Sequence, residues 1–380
     1  MEDNYTFSHK PTSPIKKEKN LYKRSTTSSF YDPEDFFPAA EFRKQAAILL
    51  GCQNNLNKMP ELYVELAKTI AGRVPLFGVV PTEMQALEGA SIMKQHGLPP
   101  EAMKFLVMPS NSIWIRDYAP FILRYDQDRA LLIDAKYQTR TERERRKQDE
   151  YFSMEMAKLL NLPVRSIPLM MEGGNMLSNG DGLILTSGKT IAVNEQQGNF
   201  KPQQIMSMFN DYMGAHSVYS FAPLIDEPNG HIDMFVTLLD KNIAIVGQVS
   251  PGVDPDSSRH LDETADMLAS LNTTVGPMKV KRIPIPPKWG TDWRSYTNVI
   301  IANKLLLMPS YSDVDPAIEN KAEAVYRSVL SSDWDIKRIN CDNLVLHHGQ
   351  LHCISYNIPN FIDIDNLLSQ AIPQINQSVE

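Results

Sequence analysis

One pattern recurs through this chain and limits what it can fold into: a strand-like apolar run ending in proline or a turn, a polar stretch, then one or two further strand-like runs. MKFLVMP leads to SNSIWIRDYAP, FILRY and ALLIDAKY, and VRSIPL leads to MMEGGNML, GLILTS and TIAVN. SVYSFAP leads to LIDEPNGHIDMFVTLL and NIAIVGQV, VKRIPIP to PKWGTDWRSYTNVII and LLLMPSY, and DIKRINC to DNLVLHHGQLHCISYNIP. Helix-period segments such as EYFSMEMAKLLNL, KPQQIMSMFNDYMG, HLDETADMLASL and AIENKAEAVYRSVLSS fill the gaps, so the chain reads as α/β. With Asp117, Glu172, His231, Asn298 and Cys353 taken as the polar anchor of each turn, successive anchors lie 55, 59, 67 and 55 residues apart. Such near-constant phase is what one supersecondary unit repeated around a common axis produces, and equivalent positions then converge at one end of that axis. The spacing therefore predicts that five chemically useful side chains meet in one pocket.

Composition sets the outer bounds. The 380 residues, 42% of them apolar, can bury a sizeable core. Residues 1–35 are polar and rich in Lys, Ser, Thr and Pro and read as a flexible tail, leaving 36–380 as the folded domain. A net charge of -7 argues against a nucleic-acid footprint and is compatible with a small cationic substrate. Cys52, Cys341 and Cys353 lack CxxC spacing, which suggests neither a disulfide framework nor a zinc site. The N-terminal residues lack the apolar stretch of a signal peptide and no run is long enough to span a bilayer, so a cytoplasmic protein away from membranes is expected. Gly188-Lys189-Thr190 resembles the end of a phosphate loop, but Leu183 stands where the first glycine belongs. Cys52 and Cys341 read as core, and His347 and His348 as exposed loop residues.

The acids in the anchor set carry the chemistry. A carboxylate pair suits a guanidinium, which is planar, offers five N–H donors in a fixed fork and stays protonated. Asp117 and Asp233 could each grip one edge, leaving the central carbon open to a thiolate once a proton can be supplied to the departing amine. Cys353 is then the nucleophile, His231 the acid and base, Glu172 the residue that fixes the His231 tautomer, and Asn298 an orienter. In GHID, strand alternation would point His231 and Asp233 to the same side, and on an extended chain His352 would point away from Cys353. Blander readings compete: EGGN as a turn, and RDYAP as a surface loop in which Arg116 pairs with Asp117.

WIRDYAP at residues 114 to 120, EGGN at 172 to 175, GHID at 230 to 233, SYTN at 295 to 298 and GQLHC at 349 to 353 resemble the motif series of the agmatine deiminase and bacterial-type peptidylarginine deiminase family, within the guanidine-modifying penteins. The resemblance spans roughly residues 36 to 362 and implies a five-bladed, pseudo-fivefold α/β propeller forming a single catalytic domain. It implies hydrolysis of a guanidino group to a ureido group plus ammonia without a cofactor, with Cys353 as nucleophile, His231 as acid and base, Asp117 and Asp233 holding the guanidinium and Glu172 partnering the histidine. Trp114, Arg116, Asn298 and Arg140 complete the expected substrate-binding set. The chain departs from agmatine deiminases in reading PAAEFRK at 38 to 44 and HHGQLH at 347 to 352. DAKYQTRTERERR at 134 to 146 is closer to the peptidylarginine deiminases, where an arginine such as Arg140 or Arg143 could clamp an α-carboxylate. The expected partner is a small guanidino substrate or an arginine-bearing peptide, with homo-oligomerisation open. Agmatine hydrolysis, amidino transfer and non-catalytic arginine binding are the alternatives.

Overall fold

The structure, a computed structural model, describes residues 36–53, 55–125, 129–137 and 146–372. The tail at 1–35 and the candidate clamps Arg140 and Arg143 lie outside the described residues.

The repeated sequence pattern becomes five small mixed sheets with one plan: a first strand runs antiparallel to a second, and a helical crossover carries the chain to a third that lies parallel to the second. In chain order the last three units pair Met176–Ser178, Leu183–Ser187 and Ser217–Phe221, then Val236–Asp240, Ile243–Gln248 and Lys279–Pro284, then Ile300–Ala302, Leu305–Ser310 and Asp335–Asn340. An earlier unit pairs Phe121–Tyr125, Arg129–Lys136 and Val164–Met170, with Phe36–Pro38 added at its edge. The remaining sheet is assembled from both ends of the described chain: Ser355–Pro359 runs antiparallel to Gln45–Gly51, which continues in parallel through Leu76–Val80 to Lys104–Val107. Each of these sheets is open, and none closes on itself among the described residues.

Local chemistry explains the plan. Parallel neighbours need a long crossover, and two of the helices that provide it carry strong start signals. Asp254 accepts a hydrogen bond from Ser257 N at 3.0 Å ahead of Pro255–Ala269, and Asp315 accepts one from Ala317 N at 2.8 Å ahead of Pro316–Val329, each with proline in the first turn. The second strands are covered on both faces. Leu183–Ser187 is buried along its whole length, and Leu305–Ser310 is buried as far as Pro309, so burial is continuous rather than alternating. Strands of the first and last sheets share one core, in which Ile48, Phe105, Leu306, Leu307 and Tyr326 are fully buried. One strand-like reading is corrected: TIAVN lies inside the helix Gly188–Gln196, because Ser187 caps that helix by accepting from Lys189 N at 3.2 Å.

All five anchors fall in the connection that enters a first strand. Asp117 precedes Phe121–Tyr125, Glu172 precedes Met176–Ser178, His231 precedes Val236–Asp240, Asn298 precedes Ile300–Ala302 and Cys353 precedes Ser355–Pro359. The repeat phase in the sequence is therefore a structural phase.

Candidate active site

Asp117 sits in the single helical turn Ile115–Tyr118, whose start is tied to the last unit by Arg116 N donating to Cys353 O at 3.2 Å. Glu172 is extended and leads into the turn Gly173–Asn175. A Cβ on Gly174 would lie 2.5 Å from His231 Nδ1, and one on Gly173 would collide with the Arg116 carbonyl, so both glycines of EGGN are required by close approach. His231 ends an extended stretch, and Ile232–Met234 is one turn of 3₁₀ helix. The expected strand alternation in GHID is thereby corrected: His231 and Asp233 come together through a tight turn. Cys353 likewise lies in a turn rather than on an extended strand.

These segments bring the candidate groups to one wall. Trp114, Asp117, Glu172, His231 and Cys353 line a cavity of about 400 Å³, shared with Tyr137, Arg146, Lys189, His347 and His348. Glu172 Oε2 is 2.8 Å from His231 Nε2, and Asp117 Oδ1 is 3.8 Å from His231 Nδ1. Gly174 N donates to Asp117 Oδ1 at 3.3 Å. The His231 ring is close enough to Cys353 to act on its thiol electrostatically. Asn298 Nδ2 stands 3.4 Å from Cys353 Sγ, while Asn298 Oδ1 accepts from His352 N at 2.9 Å. Asn298 thus holds the cysteine turn from behind the cavity instead of lining it.

Asp233 lies just beneath the lining, 1% exposed. Its Oδ2 is 2.7 Å from His352 Nδ1, and its buried Oδ1 has no partner. Arg116 faces the other way. Its guanidinium pairs with Glu41 and donates to Asn357 Oδ1 at 3.2 Å, so neither the expected substrate contact nor the surface pair with Asp117 is made. The physical reason is burial: an 8% exposed arginine needs a fixed counter-charge, and Glu41 supplies it.

Electrostatics sharpen the arrangement. Burial, followed by the charge of Asp233, pushes the Cys353 thiol up to about 11 despite the nearby His231 ring. Burial raises Asp117 to about 7, with the nearby His231 opposing and Glu172 adding to the rise. For His231 burial works toward neutrality, but the Asp117 charge, the nearby Cys353 and the bond to Glu172 outweigh it and hold the imidazole well above its ordinary value. Both directions favour a neutral thiol beside a protonated imidazole at rest.

Several participants carried no clear signal in the sequence. Glu227 accepts from His231 N at 3.0 Å, and Glu41 and His352 form the support behind Asp233. Only the adjacency of His352 to the cysteine hinted at it. Gly349 is another: a Cβ there would run into the Trp114 ring. Gly349→Ala should cost about 1–3 kcal/mol by overpacking, read as a lower thermal midpoint together with a shifted indole emission. An unchanged emission spectrum would show that Trp114 does not rest on this glycine. No cluster of three or more His, Cys, Asp or Glu placed to hold a metal occurs among the described residues.

The site therefore combines a thiol, an imidazole and carboxylates on four sheet-entry turns of one α/β chain, with the Asn298 amide of the fifth behind them. The chain matches the sequence profile of the Porphyromonas-type peptidyl-arginine deiminase over residues 38–359 and belongs to that family. It is 20% identical over 361 residues to a Yersinia pestis protein named "Putative agmatine deiminase", covering 86% of this chain and 96% of the relative. Its fold is similar to that of the agmatine deiminase of Enterococcus faecalis, with a TM-score of 0.71 at 19% identity, covering 90% of this chain and 100% of that one. It is also similar to a solved Porphyromonas gingivalis protein titled "Putative Arginine Deiminase", with a TM-score of 0.72 at 21% identity, covering 86% and 99%. These structural likenesses show the fold.

Proposed function

We propose that this chain hydrolyses a guanidino group, in peptidyl-arginine or an arginine derivative, to a citrulline-type ureido product and ammonia. The observation that carries the reading is the shared cavity wall of Cys353, His231, Asp117 and Glu172, with the unpaired Asp233 oxygen beneath it. The guanidinium lies between the two aspartates, its N–H fork matched to their oxygens. Its positive charge offsets the Asp233 and Asp117 charges that add to burial in raising the thiol, so the thiol proton passes to solvent as the substrate binds and the thiolate forms. Cys353 Sγ then bonds to the central carbon, and His231 gives its proton to the nitrogen that leaves as ammonia. A thiouronium ester remains. His231, now a base held by Glu172, takes a proton from water and the hydroxide adds to the same carbon; the carbon–sulfur bond then breaks as the hydroxyl proton passes to the sulfur, freeing the urea and restoring the thiol.

The five sheets with one strand plan, and the pairing of Ser355–Pro359 with Gln45–Gly51, support a five-bladed propeller in one domain over 36–380. Arg146 and Lys189 on the cavity wall favour a carboxylate-bearing arginine over agmatine, whose free end is a cation. No helix among the described residues is long and apolar enough to cross a membrane, and a cytoplasmic setting is part of the proposal on the three free cysteines. The test is ammonia and ureido release from free arginine, terminal-arginine peptides and agmatine. Product is expected, highest with terminal-arginine peptides; no product from any of them overturns the reading.

A further inference from the structure

Behind Asp233 runs a chain of charges, buried except at the partly exposed Glu41, that the proposed reaction does not use. His352 is 4% exposed, and both its ring nitrogens face carboxylates: Nδ1 is 2.7 Å from Asp233 Oδ2 and Nε2 is 2.8 Å from Glu41 Oε2. The other Glu41 oxygen pairs with Arg116 Nη1, and Arg116 Nε returns to the His352 carbonyl at 3.4 Å. Only an imidazolium donates from both nitrogens, so the chain alternates minus, plus, minus, plus from Asp233 to Arg116. Removing one of these charges would leave its partner uncompensated, so the four groups stabilise one another as a set.

The geometry has a directional consequence. With Oδ2 held by His352, the Asp233 carboxylate cannot rotate freely, and its second oxygen is left buried, unpartnered and within electrostatic reach of Cys353. An unpaired buried acceptor is expensive unless a ligand satisfies it. His352 is also bonded through its own backbone to Asn298, which holds the Cys353 sulfur. One residue thus links the nucleophile's turn to the carboxylate that would receive the substrate.

We propose that His352, bridging Asp233 and Glu41, is a positioning residue that aims the free Asp233 oxygen at the substrate cation and so sets recognition of a planar cation at Cys353. This rests on the guanidinium-binding reading of the cavity. Glu41 and Arg116 anchor His352 and do not touch substrate.

The experiment compares alkylation of Cys353 in the full chain by 2-chloroacetamidine, a small planar cation, with alkylation by 2-chloroacetamide, its neutral analogue, each normalised to a free thiol. The wild-type ratio tests the underlying reading first: no preference for the cation refutes the guanidinium site itself. Given a preference, two amide variants separate the roles, because an asparagine amide reaches about where Nδ1 lies and a glutamine amide about where Nε2 lies. His352→Asn keeps a donor for Asp233 and is expected to hold the preference within about threefold. His352→Gln keeps only the Glu41 link and is expected to lose it by at least about tenfold, a change of the size expected when a hydrogen bond to a charged group is lost. Alkylation by the neutral reagent should change by less than about twofold in both. Retention in both variants, loss in both, or the reverse order overturns the proposal, since a purely structural histidine would not distinguish the two ends of its ring. If either amide variant shows no cooperative unfolding transition, His352→Ala carries the test with the same expected tenfold loss, and retention there overturns the proposal.

Discussion

Cys353→Ala should lower turnover by more than about a thousandfold while binding of the guanidine weakens by less than about tenfold. The reason is a separation of tasks in the cavity. Asp117 and Asp233 remain to hold the cation, and His231 keeps its Glu172 partner at 2.8 Å, but no atom is left to bond the central carbon. Calorimetry with a terminal-arginine peptide and single-turnover ammonia release check the two halves independently. Residual turnover within tenfold of wild type would mean that water attacks directly and that the buried thiol is a packing residue.

A second large effect is expected at Asp117, and here activity and stability should move in opposite directions. Asp117→Asn removes one of the two carboxylates facing the cation and should reduce kcat/KM by at least about a hundredfold. Burial raises the folded-state value of Asp117 to about 7, above the ordinary carboxylate range. A raised carboxyl is bound more tightly to its proton in the folded chain than in the unfolded one. Its contribution is therefore fully present below the unfolded value near 4 and is lost as pH rises through about 7. The asparagine variant has no such loss. Its thermal midpoint should exceed that of wild type above pH 7, by an amount on the order of a few degrees, and the difference should shrink as pH falls toward 4. His231 loses its counter-charge in the same variant, which limits the gain. A midpoint below wild type at pH 8 would show that the attraction between Asp117 and the imidazolium outweighs the burial cost.

Much of the site was legible because the repeat carries it. The near-constant spacing of Asp117, Glu172, His231, Asn298 and Cys353 reflects their common place at the entrance to a first strand, and a linear pattern can register that place. Local readings that used ideal strand geometry did less well. GHID and LHC both sit in tight turns, where a period of two does not apply, so the directions of Asp233 and His352 could not be taken from alternation. Arg116 was misplaced for a different reason: its neighbour in sequence is Asp117, but its ion pair is with Glu41, far away along the chain. TIAVN failed because a capping serine and the helical crossover overrode the β propensity of Ile191 and Val193.

By itself, the sequence determined the α/β character, the fivefold recurrence and the set of side chains proposed to react. These depend on hydrophobic periodicity and on residue chemistry, both of which are written locally. Only the tertiary structure decided which carboxylate faces the cavity and which is held from behind, why Gly174 and Gly349 must lack side chains, and how Glu41, His352 and Arg116 share their charge. Those outcomes depend on distances of a few ångströms between segments hundreds of residues apart, and burial makes such contacts decisive by removing the water that would otherwise satisfy each group alone.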